Sequence, residues 1–300
     1  MSSDGPASIG WFHEYRGTHV TYNSLDDLDF APHEVVIAVG TYMVADVRRM
    51  RKPVIKVRYN HGFPAKPTPE QDQAWRGQLP TITVSEKLVP RLQELTEGSV
   101  WGVVPNGISL GDYFPEPGVH RSGIGALFNP HPNKAPEDLI AVLKQSQDRW
   151  PHIPQYVFST EKRPKELAHT HFTRYPTVAK ARSIYSASKV WLLTSLTEGL
   201  PGVVLEAMAC GCVVVSSDND GSLEVLRHES NGLLARRSDR SDFIKQIERV
   251  LQDDVLRTRL ALAASTTVQS FTWQRAADRM EGFLNEARPL YEAHLAKTLQ

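Results

Sequence analysis

The sequence is poor in features that would bind it to nucleic acid, insert it into a membrane or cross-link it. Its only cysteines, Cys210 and Cys212, are too close together to join distant parts of the chain. No apolar run approaches the ~20 residues that a transmembrane helix needs. Basic and acidic residues balance at 34 each, so no net charge attracts nucleic acid or an anionic membrane. Residues 1–8 lack the basic and apolar segments of a signal peptide, so we expect a cytoplasmic protein.

The second half of the sequence alternates short apolar runs with helical patterns. Runs such as Val213-Val214-Val215 do not alternate with polar residues, which suits strands that are covered on both faces. This alternation is typical of a parallel, doubly wound α/β sheet. The predicted elements are strand 124–128, helix 136–150, strand 155–159, helix 177–187, strand 190–194, helix 202–210, strand 213–216, helix 222–227 and strand 232–235.

The first third has the same character, and the end of the chain is helical. Strands are predicted at 35–39, 54–57, 81–84 and 103–104, with helices at 42–50 and 87–96. A polar, turn-rich segment at 107–123 suggests a domain boundary. After residue 240 an apolar stripe of Phe243, Ile247, Val250 and Leu251 indicates an amphipathic helix. We therefore predict two Rossmann-like domains, 1–115 and 116–270, followed by a helix at 271–300 that packs back toward the first domain.

The segment 194–211 contains the most informative motif. A buried strand ends near Thr194 and a glycine-containing loop follows. Pro201 suits the first turn of a helix and Gly211 its end. The amides around Gly202 and Val203 would then face the ligand edge of the sheet, where the helix dipole favours a diphosphate.

Two glutamates and two glycines accompany this predicted anion site. Glu198 precedes the helix and could reach sugar hydroxyls, whereas Glu206 is one turn deeper and could accept hydrogen bonds from a ribose. Glycine at 199 and 202 would let a ligand approach the backbone closely. These residues therefore predict a diphosphate site that is flanked by two carboxylates.

The same stretch resembles the retaining glycosyltransferases of the GT-B fold, the large family that includes sucrose and phosphatidylinositol mannose transferases. The resemblance rests on E-G-x-P-x-x-x-x-E-A-M-A-x-G, with glutamates at 198 and 206. Further matches lie at 84–85, 104–108, 216–224, 231–234 and 271–273. It covers residues 52–285 and implies a GT-B arrangement, with the donor on the second domain and the acceptor mostly on the first.

The resemblance assigns roles to residues outside the motif. It implies that Lys134 binds the donor phosphates and that His61 faces the reacting sugar, so that Glu198, His61 and Lys134 form the catalytic set. The residues expected to bind the donor nucleotide are Glu206, Gly199, Leu200, Pro201, Gly202, Val203, Asn129 and His131. The alternatives are that Lys134 is an ordinary surface lysine and His61 an ordinary loop histidine.

The sequence departs from the family pattern at two places. Asn129 occupies a position where the family has an arginine, and a neutral amide cannot replace a guanidinium group on phosphate. Only about 50 residues precede Lys52, without a Gly-Gly pair, so we predict a shortened N-terminal domain in which Gly10 or Gly17 is a remnant of the usual glycine-rich loop.

The remaining metal-ligand types do not form a recognisable site. Cys210 and Cys212 cannot close a structural zinc site, so we expect them to be small buried residues. His169 and His171 are expected in a loop near the nucleotide base. No metal and no cofactor is predicted, because the nucleotide sugar is a co-substrate.

The predicted function is transfer of a sugar from a UDP-, GDP- or dTDP-sugar to a hydroxyl acceptor, with retention and without a metal. The shortened first domain favours a large or carrier-linked acceptor, such as a polysaccharide, glycolipid, protein or modified nucleic acid. Peripheral membrane contact, a homo-oligomer and a partner subunit stay open. The alternatives are a degenerate nucleotide-sugar-binding subunit that needs a partner chain and a nucleotide-sugar epimerase of the same fold.

Overall fold

The computed structural model describes residues 35–39, 41–50, 54–63, 68–69, 76, 79–96 and 100–298. Gly10, Gly17 and Lys52 lie outside these ranges. The described residues form two compact units, one made of 35–106 and 274–298 and the other of 107–273. The predicted division of the chain at residues 115 and 270 stays a prediction.

The N-terminal unit contains a parallel sheet in the order β1-β2-β3-β4 among its described strands. Helix α1 follows β1, and Val44 and Val47 of α1 pack on Ala38 in a buried cluster. The bounds of the elements are β1 Val35–Val39, α1 Thr41–Arg49, β2 Ile55–Asn60, β3 Thr81–Thr83, α2 Val89–Leu95 and β4 Val100–Val103.

The C-terminal helix α9, Trp273–Thr298, packs within this same unit. Ala276, Met280 and Phe283 recur at helical spacing and contact the apolar cluster that includes Ile55 and Ile82. Glycine at 102 makes room for this contact, because an added Cβ would lie 2.0 Å from the Phe283 ring.

The C-terminal unit contains a six-stranded parallel sheet in the order β10-β9-β8-β5-β6-β7. Val213, Val214 and Val215 are completely buried, as the unbroken apolar run predicted. The elements are β5 Gly123–Leu127, α3 Pro136–Arg149, β6 Gln155–Ser159, β7 His171–Arg174, α4 Val178–Ala187, β8 Ser188–Leu193, α5 Gly202–Ala209, β9 Val213–Ser217, α6 Asp220–Val225, β10 Leu233–Ala235, α7 Arg240–Gln252 and α8 Asp254–Val268.

The strand order creates a switch point between β5 and β8. The chain adds β6 and β7 on one side of β5, then returns to add β8, β9 and β10 on the other side. The loops after β5 and β8 therefore leave the sheet toward opposite faces. Open α/β sheets bind ligands at such a point, outside the carboxyl ends of the strands.

The predicted α/β class with two parallel sheets is confirmed, and the doubly wound order is present in the C-terminal sheet. Between residues 123 and 235 every predicted element lies within two residues of an observed one, but β7 was missed. The expectation of a loop at 171 was wrong, because His171 begins β7, at the end of the strand opposite the carboxyl edge. β7 is an edge strand with exposed residues at both ends, so it lacks the apolar run of the central strands.

None of the helices among the described residues is both long enough and apolar enough to cross a membrane.

Candidate functional site

The loop after β5 brings Lys134 to the switch point. A short 3-10 turn, Pro132–Lys134, is capped by His131, whose Nδ1 accepts a hydrogen bond from the Asn133 amide at 3.2 Å. The Asn129 Oδ1 accepts from the His131 amide at 2.9 Å. Both predicted donor-binding side chains therefore shape this loop. Because Nδ1 accepts, a neutral His131 ring carries its proton on Nε2, which can donate to a ligand.

The loop after β8 places Glu198 against Lys134. The Lys134 ammonium donates to Glu198 Oε1 at 2.7 Å and to Oε2 at 2.8 Å. The Ser195 hydroxyl donates to Oε1 at 2.6 Å. The Glu198 side chain is only 10% exposed and that of Lys134 33%. A nearly buried carboxylate is thus held by a cation that still reaches solvent.

The two loops are joined by their backbones. The Leu196 amide donates to the Asn133 carbonyl at 2.7 Å, and the Thr194 hydroxyl donates to the Lys134 carbonyl at 3.1 Å. Ala135 has φ 47°, in the left-handed region, at the start of α3. A non-glycine residue there costs about 1–2 kcal/mol, so the surrounding contacts must hold this turn in place.

A buried polar network fixes the other side of the Glu198 loop. The Ser217 hydroxyl donates to the Ser195 carbonyl at 2.5 Å, and the Asn219 amide group donates to the Ser217 and Ser222 hydroxyls at 3.0 and 2.8 Å. Glycine is needed at 221, because an added Cβ would lie 2.6 Å from the Glu198 carbonyl oxygen. The network therefore sets the position of the Glu198 backbone.

The N-terminus of α5 completes the site. Its N-cap is Pro201, which provides no side-chain cap hydrogen bond. Gly202 and Val203 of the first turn line a cavity of about 240 Å³ together with Lys134 and Glu198. Leu200 and Pro201 line the same cavity, and Gly199 lies buried in the loop beside them. A cation and a helix N-terminus thus share one concave surface, which suits an anionic group.

Glu206 lies within α5 and is held by an aromatic side chain. The Tyr185 hydroxyl donates to Glu206 Oε2 at 2.6 Å. Burial raises the pKa of Glu206 above its ordinary value, and the hydrogen bond from Tyr185 opposes this only in part. The residue as a whole is half-buried. The Glu206 carboxylate, partly desolvated within α5, could accept hydrogen bonds from hydroxyl groups of a ligand.

His61 follows β2 and belongs to the N-terminal unit. Its side chain is exposed, and its ring makes an edge contact with Tyr59 at a centroid distance of 4.4 Å. Desolvation by the neighbouring protein still lowers the pKa of His61 below its ordinary value, so the ring is neutral at pH 7. The role of His61 stays a prediction.

Three residues of the site were not predicted from the sequence: Ser195, Asn219 and Tyr185. Ser195 lies just beyond a strand end, a position that could have indicated a contact at the ligand edge. Tyr185 could not have been identified in this way, because its position in the sequence is typical of the apolar face of a helix.

The cysteines are buried, as expected. Burial raises the pKa of Cys212 to about 12 and also raises that of Cys210, so both are protonated thiols at neutral pH. In the part of the chain that the structure describes, no group of three or more His, Cys, Asp and Glu side chains could hold a metal.

Comparison with known proteins gives matches centred on the C-terminal unit. Residues 123–253 match the family described as Glycosyl transferases group 1. The chain is 29% identical over 206 residues to phosphatidyl-myo-inositol mannosyltransferase from Mycolicibacterium smegmatis, covering 64% of this chain and 53% of the relative. It is also 38% identical over 76 residues to N,N'-diacetylbacillosaminyl-diphospho-undecaprenol alpha-1,3-N-acetylgalactosaminyltransferase from Campylobacter jejuni, covering 25% of this chain and 20% of the relative.

The fold is similar to that of sucrose-phosphate synthase from Thermosynechococcus elongatus. The TM-score is 0.72 at 18% identity, with 86% of this chain and 74% of that chain covered. At this identity the similarity shows the fold, which is that of GT-B glycosyltransferases. The matches to the two curated relatives span about half or less of the length of those proteins.

Proposed function

We propose that this chain, which belongs to the group 1 glycosyltransferases of GT-B fold, transfers a sugar from a nucleoside diphosphate to a hydroxyl acceptor. The observation that carries the proposal is the meeting of Lys134, Glu198 and the N-terminus of α5 at the switch point of the sheet. The cation and the backbone amides there could bind a diphosphate, and the carboxylate beside them could contact the sugar.

Lys134 and the first turn of α5 would stabilise the leaving diphosphate. Negative charge develops on this group as the glycosidic bond breaks, and fixed donors in a partly buried site are effective at stabilising such charge. With these groups the reaction needs no metal ion. His131 could add a hydrogen bond through Nε2. Asn129 contributes no positive charge, so Lys134 is the principal cation of the proposed phosphate site.

Glu198 and Glu206 would act on different parts of the donor. We assign Glu198 to the sugar, where its charge would orient hydroxyls and stabilise an oxocarbenium-like centre. We assign Glu206 to the ribose, because its partly buried carboxylate lies within α5, beyond the first turn that lines the cavity. His61 is proposed as a hydrogen-bond donor to the reacting sugar. Retention of configuration follows the family resemblance and can be read from the anomeric proton of the product by NMR.

The acceptor is proposed to be large or linked to a carrier. Both curated relatives are named for lipid substrates, a phosphatidylinositol and a diphospho-undecaprenol sugar. Equal kcat/KM for one acceptor sugar, free and attached to its carrier, would contradict this part of the proposal. We place the reaction in the cytoplasm, because the two cysteines are free thiols, as is usual in reducing compartments.

The donor site can be tested by thermal unfolding in the presence of UDP, GDP, dTDP or ADP. A nucleotide at 100 times its Kd stabilises the folded state by about 2.7 kcal/mol, so one base should stand out. Glu206→Ala should remove most of that shift if the carboxylate binds the ribose. The matched control is Glu248→Ala on α7, where Glu248 pairs with Arg149. An equal shift in wild type and Glu206→Ala would refute the ribose assignment.

A nucleotide-sugar-binding subunit without turnover is the second candidate, and Asn129 favours it. Its Oδ1 is used in a local turn where the family has a phosphate-binding arginine. Transfer to an acceptor, or slow hydrolysis of the nucleotide sugar by the purified chain, would exclude it. Appearance of an isomeric nucleotide sugar would identify an epimerase instead.

A further inference from the structure

Tyr185 contacts Glu206 from inside the hydrophobic core. The Tyr185 side chain is completely buried, and its hydroxyl donates to Glu206 Oε2 at 2.6 Å. Its ring packs against Trp191 at a centroid distance of 4.3 Å and against Phe158 at 5.6 Å. The hydroxyl therefore has a fixed position that does not depend on a mobile loop.

Other titratable groups around Glu206 do not replace this contact. Tyr113 lies against Tyr185. Burial raises the pKa of Tyr113, and the charge of Glu206 raises it further. Its hydroxyl has no partner that meets hydrogen-bond geometry among the described residues. Cys210 is a protonated thiol near the same carboxylate. Burial raises the pKa of this thiol, and the charges of Arg121 and Arg182 lower it in part. Tyr185 thus makes the shortest and best-defined contact with Glu206.

We propose that Tyr185 is a positioning residue for recognition of the nucleotide ribose, a role that rests on the proposed function of Glu206. By occupying Oε2, the phenol leaves Oε1 to accept from the ribose hydroxyls. It also stabilises the ionised form of a carboxylate that burial drives toward protonation. A phenylalanine would fill the same aromatic cluster, so the hydroxyl has a role that packing alone does not require.

The test compares binding of UDP and 2′,3′-dideoxyuridine diphosphate by calorimetry in wild type and Tyr185→Phe. Wild type should prefer UDP by about tenfold or more, since a charge-assisted hydrogen bond has that effect on affinity. Tyr185→Phe should weaken UDP binding and leave dideoxy-nucleotide binding unchanged. The control is Tyr156→Phe at the amino end of β6, where the preference should match that of wild type.

The outcomes separate this inference from the proposed function. A wild-type preference near unity overturns the ribose role of Glu206 itself. A strong preference that persists in folded Tyr185→Phe overturns only the role of Tyr185. Equal weakening of both nucleotides shows that Tyr185 is merely structural, which also overturns its positioning role.

A pH profile adds a measurement that packing would not change. Ionised Glu206 accepts from the ribose more strongly than the protonated acid does, so the UDP preference should fall as the pH drops through the pKa of Glu206. Removing the phenol raises that pKa, so in Tyr185→Phe the loss should occur at a higher pH. Ionisation of the phosphate is common to both nucleotides and cancels in the ratio.

If Tyr185→Phe does not fold, 3-fluorotyrosine at position 185 replaces it. This residue keeps the ring and the hydroxyl and is a stronger hydrogen-bond donor, so the UDP preference should be lost at a lower pH than in wild type. Loss of the preference at the same pH as in wild type would overturn the proposal.

Discussion

Glu198→Gln should tighten nucleotide binding while it lowers sugar transfer. The Lys134 ammonium donates to both oxygens of Glu198, at 2.7 and 2.8 Å. A donor diphosphate must compete with this carboxylate for the lysine. Glutamine keeps the volume of the side chain and can still accept from Ser195, but it removes the competing charge. Lys134 then becomes available to the phosphates, whereas the group that should act on the sugar is lost.

The magnitude follows from the geometry of the ion pair. A hydrogen bond between charged groups contributes about 1.5–3 kcal/mol, and the lower end applies because a third of Lys134 is exposed to water. About 1.5 kcal/mol corresponds to roughly a 13-fold lower Kd for UDP. Lys134→Ala should act in the opposite direction, because it removes the cation. It should also lower the free energy of unfolding by about 1–3 kcal/mol, because the nearly buried Glu198 loses its partner.

Calorimetry with the nucleotide selected by thermal unfolding measures both changes. Glu248→Gln removes the glutamate of a surface pair with Arg149 and should leave the Kd unchanged. The difference between wild type and Glu198→Gln should shrink at high salt, because screening weakens the competing charge. Unchanged or weaker UDP binding in a folded Glu198→Gln protein would refute the idea that Glu198 and the diphosphate compete for Lys134.

Three further perturbations test other parts of the site. An added Cβ at Gly202 or Gly282 meets no protein atom within 4 Å, so neither alanine variant should lose stability. Gly282→Ala should gain about 1 kcal/mol from helix propensity, and only Gly202→Ala should weaken UDP binding. Equal UDP affinity in Gly202→Ala and wild type would argue against a phosphate at the N-terminus of α5. Ala135→Gly should be at least as stable as wild type in urea, because φ 47° suits glycine. In an ordinary helical conformation the same change costs about 0.5–1 kcal/mol, so a loss of that size would contradict the left-handed conformation of Ala135. Transfer activity should persist in EDTA, and a complete loss that manganese or magnesium restores would contradict the assignment of charge neutralisation to Lys134 and the backbone amides.

The sequence alone was sufficient for the fold class and for the location of the glutamate motif. Buried parallel strands such as β9 are short apolar runs, and their helices have capping and proline signals, so local pattern determines where they begin and end. The edge strand β7 was missed because the prediction relied on apolar runs. The outer side of β7 faces solvent, so an apolar run is not required there. Glu198 and the start of α5 were predictable because a strand end, a glycine loop and a helix start follow one another along the chain.

The partners of these residues were decided by the tertiary structure. Lys134 lies 64 residues from Glu198 in the sequence, and Tyr185 lies 21 residues from Glu206. No local period relates such positions; they meet because the strand order places β5 beside β8 and packs α4 on α5. Whether a carboxylate is held by a lysine, a serine or a buried phenol depends on which side chains the sheet brings to the same edge. That choice is made by packing across the sheet, and it sets the hydrogen-bond partners of the two glutamates that the motif contains.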